Sequence, residues 1–442
     1  MTELLSPAGT ARHMRYAFAY GADAVYAGQP RYSLRVRNNE FNRPELLNAA
    51  IEEAHAMGRR FYLASNIAAH NDKVRTYLRD LAPIIEVRPD ALIMSDPGLI
   101  MLVRETWPDQ PVHLSVQANA TNWATVRFWH RQGIARVILS RELSLAEIAE
   151  IKAECPGMEL EVFVHGALCI AYSGRCLLSG YMTHRDANQG ACTNACRWQY
   201  NVHEAADSTT SGDLIARAPA DPTRQTHAVM LQEASRPGEY MPAYEDEHGT
   251  YIMNSKDLRA VAHVPEFVAM GIDSLKIEGR TKSVYYAART AQVYRQAIDA
   301  AHSGQPFQMR WLGELDHLAN RGYTEGFYRR HVPAEYQNYD AGGSSGDARL
   351  VGEVLDIHMA NGRVLVDVKN RFATDEVIEL MTPAGNLQFQ PAAMENEHGV
   401  AMTVAPGSGH RVWLSLPDDA APQRLQSSAG QFAMLVSHGQ AR

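Results

Sequence analysis

Four of the five cysteines of this 442-residue chain fall in one stretch, "ALCIAYSGRCLLSGYMTHRDANQGACTNACRWQY" (167–200), as Cys169, Cys176, Cys192 and Cys196. Thiols gathered this way can form disulfides, ligate a metal or include a nucleophile. Their spacing, C-x6-C-x15-C-x3-C, lacks the two tight C-x2-C knuckles of a zinc ribbon. The C-x3-C-x2-C arrangement of radical enzymes is missing too. A 4Fe–4S cluster needs four converging thiolates but tolerates irregular spacing when loops supply them. Gly174, Gly180 and Gly190 would let such a loop bend around the metal. A cluster, a zinc ion and unbound buried cysteines all remain open on the residues alone. His165 lies close enough to Cys169 for a Cys–His nucleophile pair, but nothing sets Cys169 apart from its three neighbours. No HExxH or Walker motif occurs, and the GxSxG match at 342–346 falls within the linker-like "DAGGSSGD". Cys155 closes a helical stretch before Pro156 and reads as a packing residue.

A second set of polar residues stands at the ends of short apolar runs. These are Ser6, Tyr26, Asn66, Asp96, Gln117, Arg141, Glu142, His165, Lys276, Glu278 and Arg280. The runs read as strands at 3–7, 23–28, 60–66, 91–96, 112–117, 136–142, 160–166 and 274–280. Helical stretches such as "PELLNAAIEEAHAMG" and "SLAEIAEIKAEC" alternate with them, and Ser144 with Glu147 forms a capping-box signature. Near-continuous apolar strands alternating with helices predict a parallel sheet covered on its faces. Eight such units predict a closed (β/α)8 barrel, with an open doubly wound sheet as the alternative. No GxGxxG follows the first strand, which counts against the open sheet. In a barrel the strand-end residues converge on one mouth, where chemistry resides. Lys276, Glu278 and Arg280 alternate along "SLKIEGR", so a strand would turn all three to one side.

The barrel is expected over 1–335, with the cysteine-rich segment at 165–200 and a flexible insertion at 204–228. "DAGGSSGD" reads as a linker, and the short strands of 345–442 predict a small all-β, barrel-like domain. No window approaches the ~20 consecutive apolar residues of a membrane span. "MTELLSPAG" has no basic and apolar leader, so a cytoplasmic protein is expected, where thiols stay reduced. A net charge of −8 argues against a general nucleic-acid coat, though not against a local basic site. "RYSLRVRNNEFNR" offers one: Arg35 and Arg37 among four arginines, with Tyr32 and Phe41 as candidate stacking platforms.

"LLSPAG", "DAVYAG", "HGALCIAYSGRCLLS", "NSKDL", "KIEGR" and "RGYTEGFY" resemble the collagenase-like family of peptidases, across nearly the whole chain. Its better understood members are Fe–S-dependent RNA hydroxylation factors. The resemblance implies formation of 5-hydroxyuridine at the tRNA wobble position, without molecular oxygen and with prephenate as hydroxyl source. It implies Cys169, Cys176, Cys192 and Cys196 as ligands of a 4Fe–4S cluster. Prephenate is a dicarboxylate, which calls for guanidinium forks. Arg35, Arg37, Arg141, Arg175 and Arg280 are the candidates, with Lys276 as a point charge and Gln117 as a polar neighbour at the mouth. The tRNA anticodon loop would lie on the arginine-rich loop. His165 and Glu278 are the candidates for proton transfer, with Arg280 completing the catalytic set. A peptidase, and a non-catalytic Fe–S subunit that needs a partner protein, are the competing expectations.

Overall fold

The computed structural model describes residues 1–34, 39–167, 203–207, 214–219, 229–232, 240–246, 249–251, 256–279, 282–320, 322–329, 348–358, 362–417 and 428–438. Eight parallel strands form the first unit: β1 (Glu3–Pro7), β2 (Ala24–Gly28), β3 (Arg60–Ser65), β4 (Ala91–Met94), β5 (Val112–Leu114), β6 (Arg136–Ile138), β7 (Glu159–Ala167) and β8 (Ser274–Ile277). Each pairs with the next, and β8 pairs with both β7 and β1, so the sheet closes on itself. Helices α1 (Ala11–Ala19), α2 (Pro44–Ala56), α3 (Asn71–Glu86), α4 (Pro97–Thr106), α5 (Trp123–Arg131), α6 (Leu145–Glu154), α7 (Val264–Ala269) and α8 (Val284–His302) alternate with the strands. The local sequence sets where they start. Asp96 caps α4 ahead of Pro97, Asn122 caps α5, and Ser144 and Glu147 close a full capping box on α6. A short strand, Asp257–Arg259, runs antiparallel to the end of β7 and extends the sheet sideways.

Three barrel strands stop earlier than their apolar runs suggest. After β5 the chain turns into a 3-10 helix at Val116–Ala118, ending on Asn119 at φ 53°. β6 ends at Ile138 and β8 at Ile277, followed by Gly279 at φ 143°. At the mouth the backbone has to leave the ladder, and polar residues replace ladder bonds with side-chain bonds. Of the stretch expected to be a flexible insertion, His203–Asp207 and Leu214–Pro219 are paired antiparallel strands. The remainder of that stretch lies outside the described residues.

An antiparallel sheet of eight strands forms the second unit. Its spatial order is Gly385–Phe389, Ile378–Thr382, Met434–Ser437, Arg349–His358, Arg363–Val368, Arg411–Ser415, Met394–Asn396 and Ala401–Met402. It closes over α8, which is buried along most of its length. Arg289 of α8 donates to Glu379 at 2.7 Å, and Gln292 donates to the Thr382 carbonyl at 3.0 Å. The Tyr20 hydroxyl reaches the carbonyls of Met381 and Phe432. Met381, Met434 and Val436 pack into the barrel's own apolar core, so the two units share buried surface. No helix among the described residues is long and apolar enough to cross a membrane.

Candidate functional site

Charge fills the barrel's interior, where apolar layers are the norm. At the N-terminal end Arg136 donates to Glu3 at 2.6 Å and to Glu161 at 3.2 Å. Glu161 also accepts from the Lys276 ammonium at 2.8 Å. Ser274 donates to the same oxygen of Glu3 as Arg136, and Tyr62 to the other. Unpaired charges could not survive at this depth, and removing one partner of such a pair costs ~3–5 kcal/mol. Burial opposes ionisation of Glu3, yet the adjoining Arg136 guanidinium holds its carboxyl below the ordinary value. Burial works against the charge on Arg136 too, and Glu3 and Glu161 outweigh it, raising the guanidinium's pKa. His113, fully enclosed beside this network, is pushed well below its usual value by burial and by Arg136, Lys276 and Arg60.

The column continues upward to the mouth. Lys276 sits 4.4 Å from the centre of the Tyr26 ring. The Tyr26 hydroxyl donates to the Ile277 carbonyl at 3.0 Å and to Glu278 at 3.3 Å. Glu278 in turn faces Arg141, with 3.9 Å between charged atoms. The Arg141 guanidinium lies over the Phe163 ring, 3.9 Å from its centre, in cation–π contact. On the opposite rim Gln117 accepts from Asn66 at 3.0 Å and from Ser115. The Ser95 hydroxyl donates to the Asn66 carbonyl, and Asp96 is spent on the N-terminus of α4.

The expected site residues therefore separate. Arg141, Glu278 and Gln117 do border the mouth. Lys276 shares the interior side with Glu278, as the alternation predicts, but it is only 3% exposed and closed by Glu161. It is a structural cation and not an open point charge for a ligand. His165 turns away from the mouth. The register between β7 and β8 slips at this point, and the slip delivers the imidazole to the outer layer among Tyr286, Tyr294 and Tyr323. Its Nδ1 meets the Tyr294 hydroxyl at 3.4 Å, and Nε2 has no partner. Burial, then Arg259 and Lys282, push it down to about 3, so it is neutral at physiological pH. Its position removes it from the proton-transfer candidates.

Tyr32 and Phe41 are not stacking platforms either. Both are 1% exposed, Tyr32 bonding Thr76 and Asp80 and Phe41 packing edge-on to Phe61. Arg35, Arg37, Arg175, Arg280 and the cysteines Cys169, Cys176, Cys192 and Cys196 lie outside the described residues. Cys155 is the packing residue expected, buried at the end of α6 with its thiol directed at the Trp123 carbonyl. No cluster of three or more His, Cys, Asp or Glu suited to a metal occurs among the described residues. The four thiols of 167–200 are soft donors of the kind that suit iron–sulfur or zinc. Glu3, Arg136 and Glu161 escaped sequence reasoning. A charged residue inside an apolar strand run, as in "LEVFV", was the available signal.

Such a molecule is a (β/α)8-barrel protein with its polar face at the C-terminal strand ends and an all-β appendage. The chain belongs to peptidase family U32: residues 9–338 match Peptidase family U32 and residues 347–425 match the Peptidase family U32 C-terminal domain. It is 60% identical to tRNA hydroxylation protein P of Escherichia coli K12, over 94% of each chain. It is 56% identical to tRNA hydroxylation protein P of Haemophilus influenzae, again over 94% of each. A more distant likeness, 29% over 77% of this chain and 44% of the relative, is to the 23S rRNA 5-hydroxycytidine C2501 synthase of Escherichia coli K12.

Proposed function

We propose that this chain hydroxylates tRNA, forming 5-hydroxyuridine at the wobble position without molecular oxygen and with prephenate as hydroxyl source. The observation that carries this reading is the 60% identity, over 94% of both chains, to a tRNA hydroxylation protein. The mouth geometry supports it. Arg141, flattened on Phe163, suits a carboxylate, and Gln117 with Asn66 offers amide groups for polar substituents. Glu278 is the proton-transfer candidate that faces the mouth, and hydroxylation must remove a proton from the uracil C5 position. Cys169, Cys176, Cys192 and Cys196 would hold a 4Fe–4S cluster. When bound, the cluster would supply Lewis-acidic iron and one-electron chemistry. β7 ends at Ala167, and its strand leads from the barrel wall directly into this segment.

Mass spectrometry of tRNA nucleosides from a deletion strain tests the proposal. Loss of 5-hydroxyuridine derivatives, restored by the wild-type chain and by Cys155→Ser but not by Cys192→Ser, is expected. The anaerobically purified protein should carry about four irons. Unchanged nucleosides, or stoichiometric zinc without iron, would overturn the reading.

A further inference from the structure

The ion pair at the mouth differs from every other pair in the barrel interior. Arg136 and Lys276 meet their carboxylates at 2.6–3.2 Å. Arg141 and Glu278 stand 3.9 Å apart, beyond the ~2.7–2.9 Å of a charge-assisted hydrogen bond. Glu278 therefore neutralises Arg141 without occupying its donors. Both side chains are more than nine-tenths buried, 9% and 7% exposed. Among the described residues no hydrogen bond to a side chain or carbonyl fixes the Arg141 fork, and Glu278 is its one ion-pair partner.

Glu278 is also prevented from closing the distance. Its carbonyl accepts from Tyr286 at 2.8 Å, and its amide donates to the His165 carbonyl at 2.8 Å. Gly166 presses on the same carbonyl so tightly that a Cβ there would lie 2.2 Å from it. Tyr26 holds the carboxylate end. The guanidinium is equally fixed, by the Phe163 ring beneath it. Two opposite charges are thus pinned apart, with unfilled donors beside the Phe163 ring.

We propose that Arg141 is the carboxylate receptor of the mouth, and that Glu278 is its resident counter-ion, which a ring-bearing carboxylate ligand competes with for the guanidinium. The inference rests on the reading of this mouth as the donor site for hydroxylation and names how that donor is held. A backbone phosphate of RNA bears the same charge, but a side chain 9% exposed on the floor of a barrel favours a small, planar anion. Removing the competing carboxylate should strengthen anion binding, an outcome that damage to the fold does not produce.

Calorimetry on the full-length holoprotein decides it, with phenylpyruvate and prephenate as carboxylate probes and an anticodon stem-loop RNA as the phosphate probe. Glu278→Gln should bind both carboxylates about tenfold tighter, about 1.4 kcal/mol. Arg141→Lys, which keeps the charge and loses the fork, should bind them at least about tenfold more weakly. Neither variant should change RNA affinity. Weaker or unchanged binding in Glu278→Gln, or unchanged carboxylate binding in Arg141→Lys, overturns the proposal. RNA affinity that falls in Arg141→Lys while carboxylate affinity holds assigns the guanidinium to phosphate and overturns it as well. If both carboxylates behave as expected but the deletion strain keeps its tRNA hydroxylation, the receptor stands and the proposed function falls.

Discussion

Lys276 and Arg141 carry the same charge inside one barrel, and their neighbours give them different work. Glu161 reaches Lys276 at 2.8 Å and uses it to hold the interior together, whereas Glu278 stays 3.9 Å from Arg141 and leaves it able to bind. The residue types were legible, since "SLKI" and "LEVFV" place charges inside apolar runs. Their pairing was not, because Lys276 and Glu161 are 115 residues apart and meet only when the barrel closes. His165 illustrates the same limit. Its place at the end of an apolar strand suggested a mouth residue, and a register slip no sequence pattern marks sends it into a cage of tyrosines. That cage sets a pH dependence. With a folded pKa of about 3 against an ordinary 6.5, the unfolded chain binds more protons between those values. Stability from this group is therefore complete above about pH 6.5 and falls as the pH drops toward 3, by up to about 5 kcal/mol at 1.36 kcal/mol per unit. His165→Leu should flatten part of the acid slope in thermal unfolding measured from pH 4 to 7, with His113, Glu3 and Glu379 contributing to what remains. A slope identical to wild type would mean that His165 is solvated.

The strands themselves were readable because each is a compact apolar run punctuated by turn residues. Their starts agree closely with the structure, and α6 begins at the capping box its sequence announces. The C-terminal ends were overrun at β5, β6 and β8, because apolar and polar residues alternate there just as they do within a strand. Hydrogen bonds at the mouth, not hydropathy, decide where the ladder stops. The junction of β7 and β8 shows how narrow the tolerance is. Gly166 has φ 106° and Gly279 has φ 143°, and a Cβ at Gly279 would lie 2.4 Å from the Tyr286 ring. Gly166→Ala should cost about 2 kcal/mol or more, from the backbone conformation together with the collision against Glu278. Denaturant unfolding measures the cost. Carboxylate affinity of the folded fraction should fall as well, since the Glu278 backbone has to shift. A variant as stable as wild type would show that the two strand ends have slack.

At the scale of the whole molecule, α8 belongs to both units. Glu379 is buried, which opposes its charge, but hydrogen bonds from His438 and Arg289 hold it down to about 2. A carboxyl depressed in this way stabilises the fold above its ordinary 4.5 and loses that contribution as the pH falls toward 2. Glu379→Gln should cost ~3 kcal/mol at neutral pH, because the buried Arg289 would lose the nearer of its two carboxylates and keep only Glu314 at 3.5 Å. Chemical denaturation should read that loss, and the variant should lose less than wild type on acidification below pH 4. Equal stability of the two proteins would mean that water reaches Arg289. Resemblance of the C-terminal stretch to a small β domain was visible in the sequence, but its contact with α8 was not, since nothing local records which helix a distant strand covers. The order of synthesis gives this contact a further meaning. Arg289 precedes Glu379 by 90 residues, which is roughly 5–18 s of translation at ~5–20 residues per second. For that interval the last helix of the barrel has emerged from the ribosome without Glu379, its guanidinium left with the longer contacts to Gln292 and Glu314, and with its outer face uncovered. Ribosome-bound chains halted before Ile378 should therefore recruit chaperones to α8, and those extended past Ser437 by a linker long enough to clear the exit tunnel should release them.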